Sequence, residues 1–291
     1  MKKILIPVDF SSHTDMTLTY ALEMANVEGA EILLFHTCFD QIVMTDTSFP
    51  DTLDMSTIYN EELMKEISRQ AEKNLTELCE KVKRQIAHQH LEQVSITSVG
   101  VIGEIEHELK LICKEYQPDF VVMGTRGKGN NLNVWGKVST YVIDHANVPV
   151  FTIPRISSFR GFRNIMFATD LGDGNVHAIR KISDIFKAFD HFIHVVHFLI
   201  PTKKKDEKDR MDALKKSFHK EESLGVMSFD LIKMKEVNQA MLDQFIQDRN
   251  IDIIAFQPHK RGLLYMIFTR KITKKNLFAT NIPLLAIPAD K

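Results

Sequence analysis

The chain repeats its own signposts. Lys2-Lys3-Ile4-Leu5-Ile6-Pro7-Val8-Asp9 is echoed by Arg163-Asn164-Ile165-Met166-Phe167-Ala168-Thr169-Asp170. Asn147-Val148-Pro149-Val150-Phe151-Thr152-Ile153-Pro154 is echoed, almost residue for residue, by Asn281-Ile282-Pro283-Leu284-Leu285-Ala286-Ile287-Pro288. Between these markers, Ile32–Thr37 corresponds to His191–Leu199, with His36 and His197 in matching places, and Pro118–Met123 corresponds to Ile251–Phe256. A plan restated over half a chain reads as a duplication, not as a catalytic domain with an unrelated partner. The expected division is a domain at 1–154, a polar linker at 155–162 carrying Ser157, Ser158 and Gly161, and a second domain at 163–291.

The periodicity inside each unit sets the fold class. Lys3–Val8, Ile32–Thr37, Val94–Val101, Phe120–Met123 and Val148–Ile153 are short apolar, β-rich runs, of the kind that suits strands buried on both faces. Leu18, Ala21, Leu22 and Ala25 follow a helical spacing. So do Leu63, Ile67, Ala71, Leu75, Leu78 and Val82 within Glu61–His88, and Glu104–Tyr116 is a third helix. Ser12-His13-Thr14-Asp15 has the spacing of a capping box. Residues 38–60 lack a period and read as a long surface connection. Strands alternating with helices predict an α/β protein with two tandem, doubly wound, five-stranded parallel-sheet domains. Ligands of such sheets bind beyond the carboxyl ends of the strands, where Asp9 and Gly124 both fall.

Apolar and charged contents of 44% and 26% are ordinary for a soluble globular chain, and no apolar run reaches the roughly 18 residues of a membrane span. The first residues meet Asp9 too soon for a signal peptide, so a cytoplasmic location is expected. Cys38, Cys79 and Cys113 show no paired spacing and read as reduced thiols. His191, His194 and His197 straddle a strand whose alternation sends neighbours to opposite faces, so no metal site is expected. The net charge of −1 conceals a split. Residues 1–154 hold 13 Lys+Arg and 22 Asp+Glu, a balance of −9, and residues 155–291 hold 24 and 16, a balance of +8. The basic residues lie on helical patterns without interleaved aromatics. Attraction between the two halves is therefore favoured over nucleic-acid binding.

The stretch after the fourth strand carries the chemistry. Gly124, Gly127, Gly129 and Gly136 interrupt the chain before a helical pattern near Val138, with Ser139 and Thr140 at its start. No acid lies between Asp119 and Asp144, whereas Arg126, Lys128 and Lys137 do. Glycines let amide N–H groups converge on an anion, and a helix start adds free N–H groups and partial positive charge. A solvated glycine turn would account for the same residues. Two familiar phosphate motifs fail: Gly127-Lys128-Gly129 lacks the third glycine of a dinucleotide fingerprint, and Val138 stands where a P-loop needs Ser or Thr.

This stretch resembles the nucleotide-binding loop of the universal stress protein family, in which Gly, two residues, Gly, nine residues and Gly precede Ser or Thr. Gly124-x-x-Gly127 fits the first part of that pattern. Eight residues then lead to Gly136, and Lys137 replaces the hydroxyl residue. Val138-Ser139 matches the Val-Ser or Val-Thr pair that often comes next in the family. Ile6-Pro7-Val8-Asp9 and the two closing strands extend the resemblance to both units. It implies a fold of the adenine-nucleotide α-hydrolase type and binding of ATP or AMP, with Mg2+ as a companion of ATP. Asp9 with Val8 and Thr37 would face adenine, Met123 and Gly124 would lie near base and ribose, and Gly127, Gly136, Val138 and Ser139 would hold the phosphates. It also implies that closing strands pair, here Val148–Ile153 with Pro283–Ile287 inside one chain, and it leaves a homodimer open.

The corresponding loop of the second unit, Gln257-Pro258-His259-Lys260-Arg261-Gly262-Leu263-Leu264-Tyr265, keeps one glycine, and Pro258 removes an N–H. Asp170 reads as structural, and one nucleotide per chain is expected. Ser11 and Ser12 read as caps, and Trp135 reads as a packing residue. The function expected is a stress-associated sensor or regulatory module read by an unidentified protein partner. The alternatives are a nucleotide-free scaffold and a slow ATPase.

Overall fold

A computed structural model describes residues 1–11, 13–38, 53–125, 137–154, 159–199, 206–233, 239–258 and 281–289, with backbone alone at 53–61, 63, 137, 233 and 239. The first half runs β1 (Lys2–Pro7), α1 (Thr14–Glu28), β2 (Ala30–Cys38), α2 (Leu53–His88), β3 (Val94–Ile102), α3 (Ile105–Tyr116), β4 (Phe120–Gly124), α4 (Lys137–His145) and β5 (Val150–Ile153). The second runs β6 (Asn164–Ala168), α5 (Asn175–Phe186), β7 (Phe192–Leu199), α6 (Glu207–Lys216), α7 (His219–Ser223), β8 (Met227–Lys233), α8 (Gln239–Asp248), β9 (Ile253–Phe256) and β10 (Leu284–Ala286).

All ten strands form one sheet in the order β3-β2-β1-β4-β5-β10-β9-β6-β7-β8. Each half is parallel within itself and has the same strand order, so this is a doubly wound α/β architecture. Strand alternation sorts the apolar residues onto two faces. Ile4 and Ile6 pack with α1, α2 and α5 on one side, and Leu5, Val121 and Met123 pack with α3, α4 and α8 on the other. Both apolar layers run through both halves, which explains why β1, β4, β6 and β9 read as unbroken apolar runs.

The halves meet at β5 and β10, which pair antiparallel with Phe151 opposite Leu285 and Thr152 opposite Leu284. Over this seam Tyr20, Phe151, Phe159, Phe162, Phe186 and Phe189 form a chain of tilted and edge-on ring contacts with centroids 5.0–6.2 Å apart. The opposite net charges meet in the Lys187–Glu28 pair at 3.5 Å, with the lysine side chain 63% exposed. Such a pair contributes at most about 1 kcal/mol. Apolar burial and a backbone ladder therefore do most of the joining.

Several elements depart from the sequence reading. The connection expected over 38–60 gives way to helix at Leu53, so α2 has 36 residues. The end of the polar linker is anchored: Phe162 is buried between the halves, because two aromatic side chains within eight residues outweigh the polar ones around them. Helix α1 begins at Thr14 with His13 at its N-cap and no side-chain cap, and Ser12 lies outside the described residues. The backbone of His13 instead donates to Ser11 Oγ at 3.4 Å, and Thr14 donates to the Ser11 carbonyl at 3.1 Å.

Candidate functional site

Strands β1 and β4 are neighbours, with Ile4 beside Phe120 and Leu5 beside Val121. That register brings Asp9 and Gly124 to one rim at the carboxyl ends of the first half, in the crevice where doubly wound sheets bind ligands. Beyond β1 the chain turns sharply through Phe10, whose φ of 54° is unusual for a bulky side chain. The turn folds Asp9 Oδ1 back onto the Ser11 amide at 3.0 Å. Asp9 Oδ2 is buried and has no hydrogen-bond partner among the described residues. Since α1 begins later, at Thr14, the carboxylate does not cap that helix. A buried carboxylate oxygen without a donor is costly. An N–H or O–H donor would satisfy it.

His36 holds this turn from below. Its Nδ1 lies 2.7 Å from the Val8 carbonyl. A carbonyl only accepts, so Nδ1 carries the proton. The ring also packs against Phe10 with centroids 4.5 Å apart. Thr37 comes next on β2, half-buried and beside Val101 of β3. Sequence reasoning used His36 as a landmark and missed its role. The available signal was its fixed distance from Val8: 28 residues, the same as that from Thr169 to His197.

On the β4 side Met123 is buried and Gly124 half-buried. The Thr125 amide donates to Ile153 O at 3.0 Å, continuing the ladder to β5. Ser139 is 2% exposed, and its Oγ donates to Thr125 O at 3.0 Å. This pins the first turn of α4 to the end of β4. The one hydroxyl proton is thereby used within the protein, so the Ser139 side chain has no proton left to give a phosphate, which only accepts. Val138 lies half-buried in the same turn. Gly127 and Gly136, with Arg126, Lys128, Gly129 and Trp135, lie outside the described residues, as does the side chain of Lys137.

The second half repeats the scaffold and fills it. Leu171 has a φ of 61°, the counterpart of Phe10, and His197 Nδ1 donates to Thr169 O at 2.8 Å. Asp170 Oδ1 accepts from the Gly172 amide at 3.0 Å and from Asn175 Nδ2 at 2.7 Å. Asn175 also donates to Gly172 O at 2.8 Å and accepts from Thr169 Oγ1. At the position of Gly124 stands Gln257, whose amide lies so near the start of α5 that a Cβ on Gly174 would meet its Oε1 at 2.6 Å. Asp170 is bound into its own turn, and the position of Gly124 in the first half holds an amide side chain here.

Burial pushes the Cys113 thiol up to about 11, and all three cysteines are free. His194, on β7, is lowered to about 4, first by burial and then by Arg249, against the opposing effect of Asp230. Among the described residues no group of three His, Cys, Asp or Glu side chains converges on a metal-sized space. Nor is any described helix long and apolar enough to cross a membrane.

Comparison with known proteins agrees with this fold. A model of the universal stress protein family matches residues 1–154. Universal stress protein MJ0577 of Methanocaldococcus jannaschii is 26% identical over 160 residues, covering 54% of this chain and 97% of that protein. A solved universal stress protein from Archaeoglobus fulgidus covers 100% of this chain and 97% of its own, with a TM-score of 0.66 at 15% identity. A Pseudomonas aeruginosa protein of unknown function covers 100% and 93%, with a TM-score of 0.60 at 11% identity. Likeness at those identities speaks for the fold alone.

Proposed function

The chain belongs to the universal stress protein family, and we propose that its first half binds one adenine nucleotide, ATP or AMP, as a sensor module whose occupancy a protein partner reads. The observation that carries this reading is the buried Asp9 Oδ2 without a donor, at the carboxyl rim beside Gly124. The exocyclic amine of adenine is a donor that would satisfy it. Val8 and Thr37 would line the base from β1 and β2, with Met123 and Gly124 near base and ribose. The phosphates would meet backbone N–H groups, those of Gly127 and Gly136 together with Val138 and Ser139 at the start of α4. Mg2+ would accompany ATP on its phosphates.

The division at 1–154 and 163–291 gives each half a rim of its own, and we assign the second a closed, structural role. Asn175 already supplies Asp170 with a donor, and Gln257 stands at the position of Gly124 with its amide against the start of α5.

Equilibrium titration of the full chain with labelled ATP and AMP tests the reading. One saturable site per chain is expected, with at least a tenfold loss in Asp9→Ala, in line with about 1.4 kcal/mol or more for a buried hydrogen bond to a charged group. Binding that Asp9→Ala leaves unchanged, or none at all, overturns it.

A further inference from the structure

The ten-stranded sheet ends in two edges that differ in kind. Strand β8 carries Asp230 at mid-strand, tied to Ser228 Oγ at 3.1 Å and to Arg249 at 3.7 Å, and it ends at Lys233. Charge on an edge strand is a usual guard against pairing with another chain. Strand β3, Val94-Ser95-Ile96-Thr97-Ser98-Val99-Gly100-Val101-Ile102, has nine residues with no charge and no proline. Ser95, Thr97, Ser98 and Gly100 are exposed, and Ile102 is 59% exposed.

The direction of its free backbone groups can be read from the ladder. Ala30 donates to Gln93 O and Gly103 donates to Cys38 O, so the odd-numbered residues of β3 face β2. The even-numbered ones turn N–H and C=O outward. Ile96, Ser98, Gly100 and Ile102 therefore present a row of backbone groups with no outward backbone partner among the described residues. Helix α2 adds an apolar element at the same edge. Leu75 lies over Gly100, and Cys79 and Val82 continue down the strand. Ile67 extends that stripe two turns further and is 40% exposed. At 36 residues α2 is about 54 Å long, whereas nine strand residues cover about 30 Å, so the helix outruns the strand beneath it.

We propose that the β3 edge, with the stripe of α2, is where a second copy of this chain pairs, by antiparallel addition of β3 to β3 about a twofold axis. The other free edge of a five-stranded half is already used, because β5 is paired with β10. That internal seam joins two edges of the same fold antiparallel, as the proposed one would. A twofold axis at Ser98 matches outward-facing residues with outward-facing residues, Ser98 with its own copy and Ile96 with Gly100, keeping each on its own face of the sheet; Val94, opposite Ile102, has only its carbonyl to give, because its N–H is donated to Leu91 O at 2.9 Å. It also lays the two α2 helices side by side, which covers Ile67. Glu92 and Glu104, exposed at either end of β3, would then come level with their like-charged counterparts, so salt should strengthen this association.

Sedimentation velocity on the full chain, across micromolar concentrations and at two salt levels, tests the proposal with two variants. Ser98→Pro removes an outward N–H and leaves the ladder to β2 intact. Ile67→Lys charges the stripe of α2 without touching the sheet. The expected result is a dimer for the wild type, firmer at high salt, with a tenfold or greater loss of association in each variant that keeps the wild-type circular dichroism. A monomer at every concentration overturns the proposal. So does a dimer that Ile67→Lys and a folded Ser98→Pro both leave intact, since such a dimer must use another surface.

Discussion

His36 donates from Nδ1 to the carbonyl of Val8 across 2.7 Å, and so fixes the end of β1 from which Asp9 departs. Its counterpart, His197, does the same to Thr169 at 2.8 Å. In both halves a neighbouring strand thus holds the residue just before the rim carboxylate. Each turn then passes through a residue at positive φ, Phe10 or Leu171, a conformation that persists where its surroundings over-determine it.

His36→Phe keeps the ring and removes the donor, leaving the Val8 carbonyl without its side-chain partner. A loss of about 1–2 kcal/mol in urea unfolding is expected, together with weaker nucleotide binding as the turn at Asp9 loosens. Unchanged stability would mean that the backbone bonds of β1 alone hold the turn.

The two rim carboxylates should respond in opposite ways to the same change. Asp170→Ala frees Asn175 and the Gly172 amide, and is expected to cost about 1–3 kcal/mol in denaturant without altering nucleotide affinity. Asp9→Ala removes one local bond to Ser11 and should cost less stability, while weakening nucleotide binding at least tenfold. Parallel denaturation and titration of the two variants decide the matter.

His194 gives the fold an acid limit. Folding lowers it to about 4 from an ordinary value near 6.5, so the unfolded chain takes up its proton first. Stability should be full above about pH 6.5 and should fall as the pH drops toward 4. His194→Phe should flatten that part of the profile in denaturant melts at pH 7, 6 and 5.

Gln117 sits exposed in the left-handed region, at φ 51°, just after the end of α3. Glycine adopts that conformation without a Cβ penalty, so Gln117→Gly should stabilise the chain by about 0.5–1 kcal/mol. A higher melting temperature is the expected readout, and a lower one would show that the Gln117 side chain contributes more than its backbone costs.

Phe186 lies at the centre of the aromatic seam, in contact with Phe151, Phe162 and Phe189. Phe186→Ala should cost about 3–5 kcal/mol. Because both apolar layers run through both halves, probes in the two halves should still melt together; separate transitions would show that the seam does not couple them.

The alternation of apolar runs and helical spacings in the amino-acid order alone determined the α/β architecture, the matching plan of the two halves and the placing of Asp9 and Gly124 at strand ends. These properties depend on local period, and period is written residue by residue. Tertiary structure decided how the two rims differ. Asp9 and Asp170 come after strands of matching apolar pattern, and each is followed by a residue at positive φ. Yet one keeps a buried oxygen without a described donor, and the other is held by Asn175 beside a crevice filled by Gln257, 87 residues further on. Which donor reaches a carboxylate, and which side chain occupies a gap, depends on elements that meet only when the sheet closes. The same holds for Ser139, whose hydroxyl proton is committed to Thr125 once α4 docks on β4.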